Sequence, residues 1–255
     1  MGFNRAPPAI VKMKLSGVDT KVVIFSNGYN APALSAKGSC GDYPCGTLFI
    51  RKAADGSLIK TIRTTVMSGL SEPAVIDKDG DGYADTVYAG DLKGNLWKMD
   101  ISDTDSAKWS DIATNIFTTT TGQPITTKPA VGSNSTRGVM IYFGTGKYLE
   151  TPDAVASNQT TSQAFYGLWD DPQNTQYPIL STKLLAQTVV QKNTDTRYIT
   201  GNAIPDWNTQ RGWYFLLPTQ GERVTVNPEL VLGKLNMVTM IPGNDKENCV
   251  GGGTG

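Results

Sequence analysis

The sequence predicts an all-β fold, a modified and partial β-propeller with loop insertions between its strands. Two observations carry this prediction: strand-like phrases recur along the chain, and the composition favours strands and turns. Among 255 residues there are 27 glycines and 14 prolines, and only 18% of the residues are charged. Helical periodicity is weak throughout, so a helical bundle is disfavoured.

Three phrases recur in the same order along the chain, and each predicts a strand. The first is a proline followed by short apolar residues, the second is an apolar run that ends in glycine, and the third leaves a glycine turn. The first phrase lies at 8–11, 73–76, 129–131 and, more loosely, 228–231; the second at 22–29, 86–90 and 139–146; the third at 45–50, 93–100 and 163–170.

The recurrence indicates propeller blades. Repeated units of about 40 to 50 residues with four short strands are typical of blades, because one four-stranded sheet cannot bury both of its faces alone. Asp55 and Gly56 predict a turn between two strands. The threonine-rich stretches 118–121 and 151–161 predict insertion loops. A β-sandwich with coincidental repeats is the alternative.

The two ends of the chain indicate a piece of something longer. The first eight residues lack a basic segment followed by an apolar one, so they predict no signal peptide. Residues 249–255 are glycine-rich, so we expect no finishing strand there. No apolar run reaches about 18 residues, so no transmembrane segment is predicted. We expect residues 1–255 to form a single propeller-like domain, a fragment of a longer exported protein.

Charge and histidine content exclude several classes of function. Lys plus Arg is 23 and Asp plus Glu is 23, which gives zero net charge and argues against a nucleic-acid-binding surface. The chain has no histidine, which excludes Ser-His-Asp triads and His-ligated zinc or haem. Carboxylates, Lys or Tyr remain available for acid–base chemistry, but we expect a protein that is not an enzyme.

The cysteines indicate an oxidising compartment. Cys40 and Cys45 lie in a Gly/Pro-rich turn that can bring them within disulfide range, and a bridge there predicts a periplasmic or extracellular location. Two unrelated thiols are the alternative. Cys249 is then left without a predicted partner.

The stretch 77–85 resembles the start of an EF-hand calcium loop. It places carboxylates at positions 1, 3, 5 and 9 and glycine at position 6, and the carbonyl at position 7 adds an oxygen. Carboxylates this close repel one another unless a hard divalent cation neutralises them. The predicted Ca²⁺ ligands are Asp77, Asp79, Asp81, the Tyr83 carbonyl and Asp85.

The loop departs from a true EF-hand in two respects. Position 12 is Tyr88 in place of Glu, so Asp85 must close the site, and the flanking residues are strand-like. We therefore expect a calcium loop that ties two strands together. Calcium is favoured over magnesium because the loop offers an all-protein oxygen cage. A solvated Asp-Gly turn without a metal is the alternative.

Two weaker patterns have structural interpretations. The acidic residues 100, 103 and 105 lack a glycine at the turn position, which favours a solvated loop over a metal site. Trp97, Trp169 and Trp213 occupy strand-like positions, which favours packing within blades over a ligand cage.

Several of these phrases together resemble one family, the PilC/PilY family of tip-associated biogenesis factors and adhesins of bacterial type IV pili. The resemblance is to the C-terminal domain of that family. It rests on the stretches 73–100, 141–149, 165–170, 212–218 and 221–224, with 25–30 fitting as a blade strand.

The resemblance implies a modified β-propeller whose bound calcium regulates pilus extension and retraction. It carries the loop carboxylates and the Tyr83 carbonyl over as the calcium ligands. The implied partners are pilus components such as minor pilins at the tip, and a host or abiotic surface. The implied location is the cell surface or pilus tip, or the periplasm or outer membrane, of a Gram-negative bacterium. No Arg-Gly-Asp tripeptide occurs, so integrin binding is not supported.

Two alternatives come from other classes. A quinoprotein-type dehydrogenase is also an exported propeller that uses calcium, but four carboxylates around the ion leave little coordination for a quinone. A purely structural repeat domain of a surface protein differs only in whether calcium changes pilus behaviour.

Overall fold

The computed structural model describes residues 7–29, 45–191, 193, 197–199, 204–243 and 253–254. Strands make up 45% of the structure and helices 6%, which confirms the predicted all-β class. The chain divides into two compact units, Met1–Thr118 and Thr119–Gly255. The assignment of residues 1–255 to one propeller-like domain stays a prediction.

The first unit contains two four-stranded antiparallel sheets, each with its strands in chain order. The first sheet is formed by β1 (Ala9–Leu15), β2 (Val18–Ser26), β3 (Thr47–Lys52) and β4 (Leu58–Arg63). The second is formed by β5 (Ala74–Ile76), β6 (Thr86–Gly90), β7 (Asn95–Asp100) and β8 (Thr114–Thr118), with a short 3-10 helix at Ser106–Lys108. Four neighbouring strands in chain order are typical of a propeller blade.

The two sheets of the first unit share one hydrophobic core. Alternate side chains of β1 to β4 point into it, as the period of two along a strand requires. All residues of β6 are buried, so both faces of this strand are covered. The core residues include Met13, Val22, Ile24, Leu48, Ile50, Ile62, Val87, Ala89, Trp97 and Met99.

The second unit is built on a five-stranded sheet in the order β12-β15-β11-β10-β9. Its strands are β9 (Ala130–Ser133), β10 (Val139–Gly144), β11 (Ala164–Asp170), β12 (Leu185–Gln187) and β15 (Gly212–Leu216). The four strands of a blade thus correspond to β9, β10, β11 and β15, which pair antiparallel. Strand β12 comes from the insertion before β15 and adds to it in parallel.

Smaller elements complete the second unit. Three two-stranded pairs join β13 (Val189–Gln191) to β14 (Arg197–Ile199), β16 (Glu229–Val231) to β17 (Lys234–Asn236), and β18 (Ile241–Pro242) to β19 (Gly253–Thr254). The expectation that residues 249–255 contain no strand is therefore wrong, because Gly253 and Thr254 pair with β18. Short 3-10 helices lie at Thr151–Ala154, Ala156–Asn158 and Ser181–Lys183. The predicted loop 151–161 thus contains two helical turns. The first is capped by the Asp153 carboxylate, which accepts the Leu149 and Glu150 backbone N–H groups.

The proline phrases mark strand starts in both units, as predicted. Each proline directly precedes a first strand: Pro8 precedes β1, Pro73 precedes β5, Pro129 precedes β9 and Pro228 precedes β16. Proline has no N–H to give to a ladder, so a position just outside a strand costs no hydrogen bond.

A buried polar side chain follows the second strand of each large sheet and bonds to the start of the third. Asn27 Oδ1 accepts the Thr47 N–H at 3.0 Å in the first sheet. Asp91 does the same for Asn95 at 2.9 Å in the second. Thr145 Oγ1 accepts the Ala164 N–H at 2.8 Å in the third. These side chains satisfy backbone donors at the point where each sheet ladder ends.

Asp91 makes the largest set of such bonds. It is 0% exposed, and its Oδ1 accepts the N–H groups of Lys93 and Asn95 at 2.8 and 2.9 Å. Its Oδ2 accepts Asn95 Nδ2 and Trp97 Nε1, both at 2.9 Å. Four donors therefore replace the water that the carboxylate loses on burial.

Cys45 is buried and disulfide-bonded. Its predicted partner, Cys40, and the third cysteine, Cys249, both lie outside the described residues. The pairing of Cys40 with Cys45 stays a prediction.

Replacing Asp91 by leucine should destabilise the chain by roughly 3 to 5 kcal/mol, because the Trp97 and Asn95 donors would be left buried without an acceptor. Chemical denaturation measures the free energy of unfolding. Asp111→Leu is the matched control, because the Asp111 side chain is 79% exposed where it pairs with Lys60. The free energy of unfolding of this variant should stay close to that of the wild type. Equal losses in the two variants would contradict the role given to Asp91.

Peptide mapping without reduction should find Cys40 joined to Cys45 in protein made in an oxidising compartment. Cys249 should then be the thiol that an alkylating reagent modifies. A peptide that joins Cys45 to Cys249 would overturn the predicted pairing.

Candidate metal centre

The loop 77–85 joins β5 to β6 in the first unit, so its flanks are strands, as predicted. Calcium binding by the loop stays a prediction. The base of the loop is fixed by backbone hydrogen bonds. The Asp85 N–H donates to the Ile76 carbonyl at 2.9 Å, and the Ile101 N–H donates to the Asp85 carbonyl at 2.8 Å. The Ala84 N–H reaches the Lys12 carbonyl of β1 at 2.9 Å. The end of the loop is thus anchored to both sheets of the unit.

Within the loop, the first carboxylate organises the turn. Asp77 Oδ1 accepts the Gly80 N–H and Oδ2 accepts the Gly82 N–H, both at 2.7 Å. Gly80 and Gly82 have φ angles of +80° and +90°, which other residues rarely adopt. The Asp-Gly-Asp-Gly spacing therefore places glycine at the two positions where the backbone requires it.

Three of the predicted ligands converge. Asp77, Asp79 and Asp85 each offer a carboxylate oxygen, and these oxygens all lie within 4.8 Å of one another. Calcium binds oxygen at about 2.3 to 2.6 Å, so ligands on opposite sides of one ion are about 5 Å apart. The observed spacing fits one coordination shell.

The other two predicted ligands are placed differently. Asp81 lies outside the group of three, and its Oδ1 accepts the Tyr83 N–H at 2.9 Å. The Tyr83 side chain points to the β1–β2 hairpin, where its hydroxyl donates to Asp19 Oδ1 at 2.7 Å and its ring lies 5.6 Å from Lys14 Nζ. Coordination by Asp81 and by the Tyr83 carbonyl stays a prediction. Sequence analysis missed Asp19 and Lys14, because only the fold brings them to the loop.

The loop carboxylates differ in their electrostatics. Burial raises the pKa of Asp85, and the nearby charges of Asp79 and Asp77 raise it further. The hydrogen bond from the Lys78 N–H acts in the opposite direction but does not outweigh them. Burial also acts to raise the pKa of Asp77, but the N–H groups of Gly82 and Gly80 outweigh it and lower that pKa. Asp85 thus carries the unfavourable part of the like-charge cluster, which a bound cation would relieve.

The weaker sequence patterns behave as structural features. Asp103 accepts the Asp105 N–H at 2.8 Å and pairs with Lys108 at 3.2 Å, so this acidic stretch bonds locally. Trp97 and Trp169 are each 1% exposed. Their indole N–H groups reach Asp91 and a backbone carbonyl, as expected of packing residues. Among the described residues, no helix is long and apolar enough to span a membrane.

Comparisons with known sequences agree on one family of relatives. The family model of the PilY1 beta-propeller domain matches residues 1–203. The type IV pilus biogenesis factor PilY1 homolog of Xylella fastidiosa, strain Temecula1, is 31% identical over 100% of this chain and 18% of its own length. The type IV pilus biogenesis factor PilY1 of Pseudomonas aeruginosa, strain PAO1, is 27% identical over 99% of this chain and 24% of its own length. The chain therefore spans no more than about a quarter of these relatives.

A solved structure shows the same fold. The crystal structure of the Pseudomonas aeruginosa PilY1 C-terminal domain matches with a TM-score of 0.77 and 24% identity, over 95% of this chain and 56% of that one. Together with the sheets described above, this match confirms the predicted β-propeller class. With the family model covering most of the sequence, the chain belongs to the PilY1 β-propeller domain family of type IV pilus biogenesis factors.

Proposed function

We propose that this chain is a calcium-binding module of a type IV pilus biogenesis and tip adhesin protein, in which calcium regulates pilus extension and retraction and surface attachment. The convergence of Asp77, Asp79 and Asp85 in a strand-to-strand loop carries the proposal. The relatives are named as pilus biogenesis factors, which supports a role without catalysis. The proposed location is the surface, pilus tip, periplasm or outer membrane of a Gram-negative cell, and the proposed partners are pilus components and the surface to which the cell attaches.

The donor chemistry favours calcium. All candidate ligands are oxygens, and oxygen ligands suit hard cations such as Ca²⁺ and Mg²⁺ better than zinc or copper. Calcium accepts six to eight ligands in flexible geometry, whereas magnesium demands a near-ideal octahedron and keeps several waters. We propose that Asp81 and the Tyr83 carbonyl complete the shell around the three converging carboxylates.

The residues around the loop suggest what the ion does. Asp77 and Asp79 belong to the start of the loop and Asp85 to its end, so one ion held by all three would fix the loop at both ends. The Ala84 N–H and the Tyr83 hydroxyl bond to the β1–β2 hairpin. The order that calcium gives the loop is thereby carried to the neighbouring sheet of the same unit.

Calorimetry on the purified chain should detect about one Ca²⁺ with a Kd of roughly 10⁻⁷ to 10⁻⁵ M. Asp85→Ala should weaken binding at least about tenfold, since it removes the carboxylate that closes the loop. Asp103→Ala is the matched control and should bind like wild type, because Asp103 is engaged by Lys108 outside the loop. Absence of heat with Ca²⁺, or a preference for Mg²⁺, would refute the metal assignment.

The regulatory proposal is tested in the full-length protein. Asp85→Ala should behave as calcium-free and lose surface pili or twitching motility. Asp85→Lys should behave as calcium-occupied, because an ammonium group can neutralise the remaining carboxylates. Surface pilin and twitching are measured for both variants and for Asp103→Ala. If both Asp85 variants resemble wild type while calcium binding is lost, the loop is a structural clamp and the regulatory role is wrong.

A further inference from the structure

The second unit contains an open cavity with a volume of about 440 Å³, here named the Glu222 pocket. Its walls come from the β13–β14 hairpin, the end of β15 and the segment after β17. Ligand sites in proteins typically have volumes of about 300 to 1,000 Å³ and are mostly apolar with a few convergent polar groups. The Glu222 pocket has both properties.

The polar end of the pocket is an ion pair between a buried carboxylate and a partly exposed guanidinium. Glu222 is 2% exposed, and its two oxygens accept Arg197 Nη1 at 2.7 and 2.9 Å. Thr239 Oγ1 and the Thr219 N–H complete the set at 2.9 and 3.2 Å. The carboxylate is thus neutralised and fully hydrogen-bonded. A charged ligand would find no unpaired counter-charge here and would lose its own hydration, so the lining favours an uncharged group.

One donor of this pair has no acceptor among the described residues. A guanidinium has five N–H groups; in Arg197 two go to Glu222, Nε goes to Gln191 Oε1 at 3.0 Å, and Nη2 gives one to Thr219 Oγ1 at 2.9 Å. Within the described part of the chain, the second Nη2 hydrogen has no acceptor. The Arg197 side chain is 34% exposed, so this donor can be reached from the open side.

The remaining walls are apolar. Phe215 and Leu217 are each 4% exposed and form the floor. Met237 and Val189 are half-buried beside them. Ile199 is 44% exposed at the edge of the pocket, which leaves apolar surface next to the free donor.

We propose that the Glu222 pocket binds an uncharged apolar side chain, of leucine to phenylalanine size, carried by an extended segment of a partner protein. A backbone carbonyl of that segment accepts the free Nη2 hydrogen of Arg197. An apolar cavity with one rim donor fits the side chain and the carbonyl of a peptide. This assignment goes beyond the proposed calcium function and does not depend on the metal loop.

The probe is N-acetyl-phenylalanine N-methylamide, titrated into the chain labelled with ¹³C at its methionine methyl groups. The Met237 methyl resonance, identified from its loss in Met237→Leu, should shift with the concentration of the probe. N-acetyl-aspartate N-methylamide should give no shift at the same concentrations. Toluene, which lacks the carbonyl, should bind at least about threefold more weakly.

Two variants test the geometry. Ile199→Trp should fill the pocket and abolish the shift, whereas Ile112→Trp makes the same change at an exposed position of the first unit and should leave it unchanged. Arg197→Lys keeps a positive charge beside Glu222 but removes the Nη2 donor, and should weaken binding about three- to tenfold. The proposal is overturned by no shift with the phenylalanine probe, by equal binding of the aspartate probe, or by undiminished binding in Ile199→Trp. Equal binding of toluene would overturn the assignment to a peptide.

Discussion

The buried carboxylate of Asp91 is the interaction on which the first unit depends. It links the end of β6 to the start of β7 through four donors. Leu70 forms isolated bridges with both Asp91 and Gly28, so the same corner also meets the end of β2. A buried charge without these donors would be several kcal/mol unfavourable. The corner therefore connects the two sheets of the unit.

The loop 77–85 lies at the opposite end of β6 from that corner. The strand starts one residue after Asp85 and ends one residue before Asp91, and all five of its residues are buried. The close-packed interior around this short strand leaves it little room to bend, so its two ends keep a fixed distance from each other. The half-buried Asp85 thus lies next to the core, while Asp77 and Asp79 are exposed. An ion at this site would connect the fixed end of the loop to its exposed end.

The second unit handles buried charge differently. Among the described residues, four of its carboxylates are buried. Asp170 accepts the Tyr177 hydroxyl, and the other three are each paired with a partly exposed cation: Asp171 with Arg137, Asp153 with Lys147 and Glu222 with Arg197. The Arg137 hydrogen bonds lower the pKa of Asp171, so it stays ionised in the pair. Each pair involves a loop or an added hairpin. Ion pairs suit such segments because insertions bury too little apolar surface to fix themselves by packing alone.

The sequence by itself determined the strand class, the strand starts after Pro8, Pro73, Pro129 and Pro228, and the position of the acidic loop 77–85 between two strands. These features are local, since alternation, proline placement and Asp-Gly spacing act within a few residues. Only the tertiary structure decided that β12 joins β15 in parallel, that Asp91 is a buried acceptor, and that Tyr83 reaches Asp19. It also decided the pairing of Arg197 with Glu222, which are 25 residues apart. Contacts between distant residues leave no periodic pattern in a sequence, because they depend on how whole elements pack.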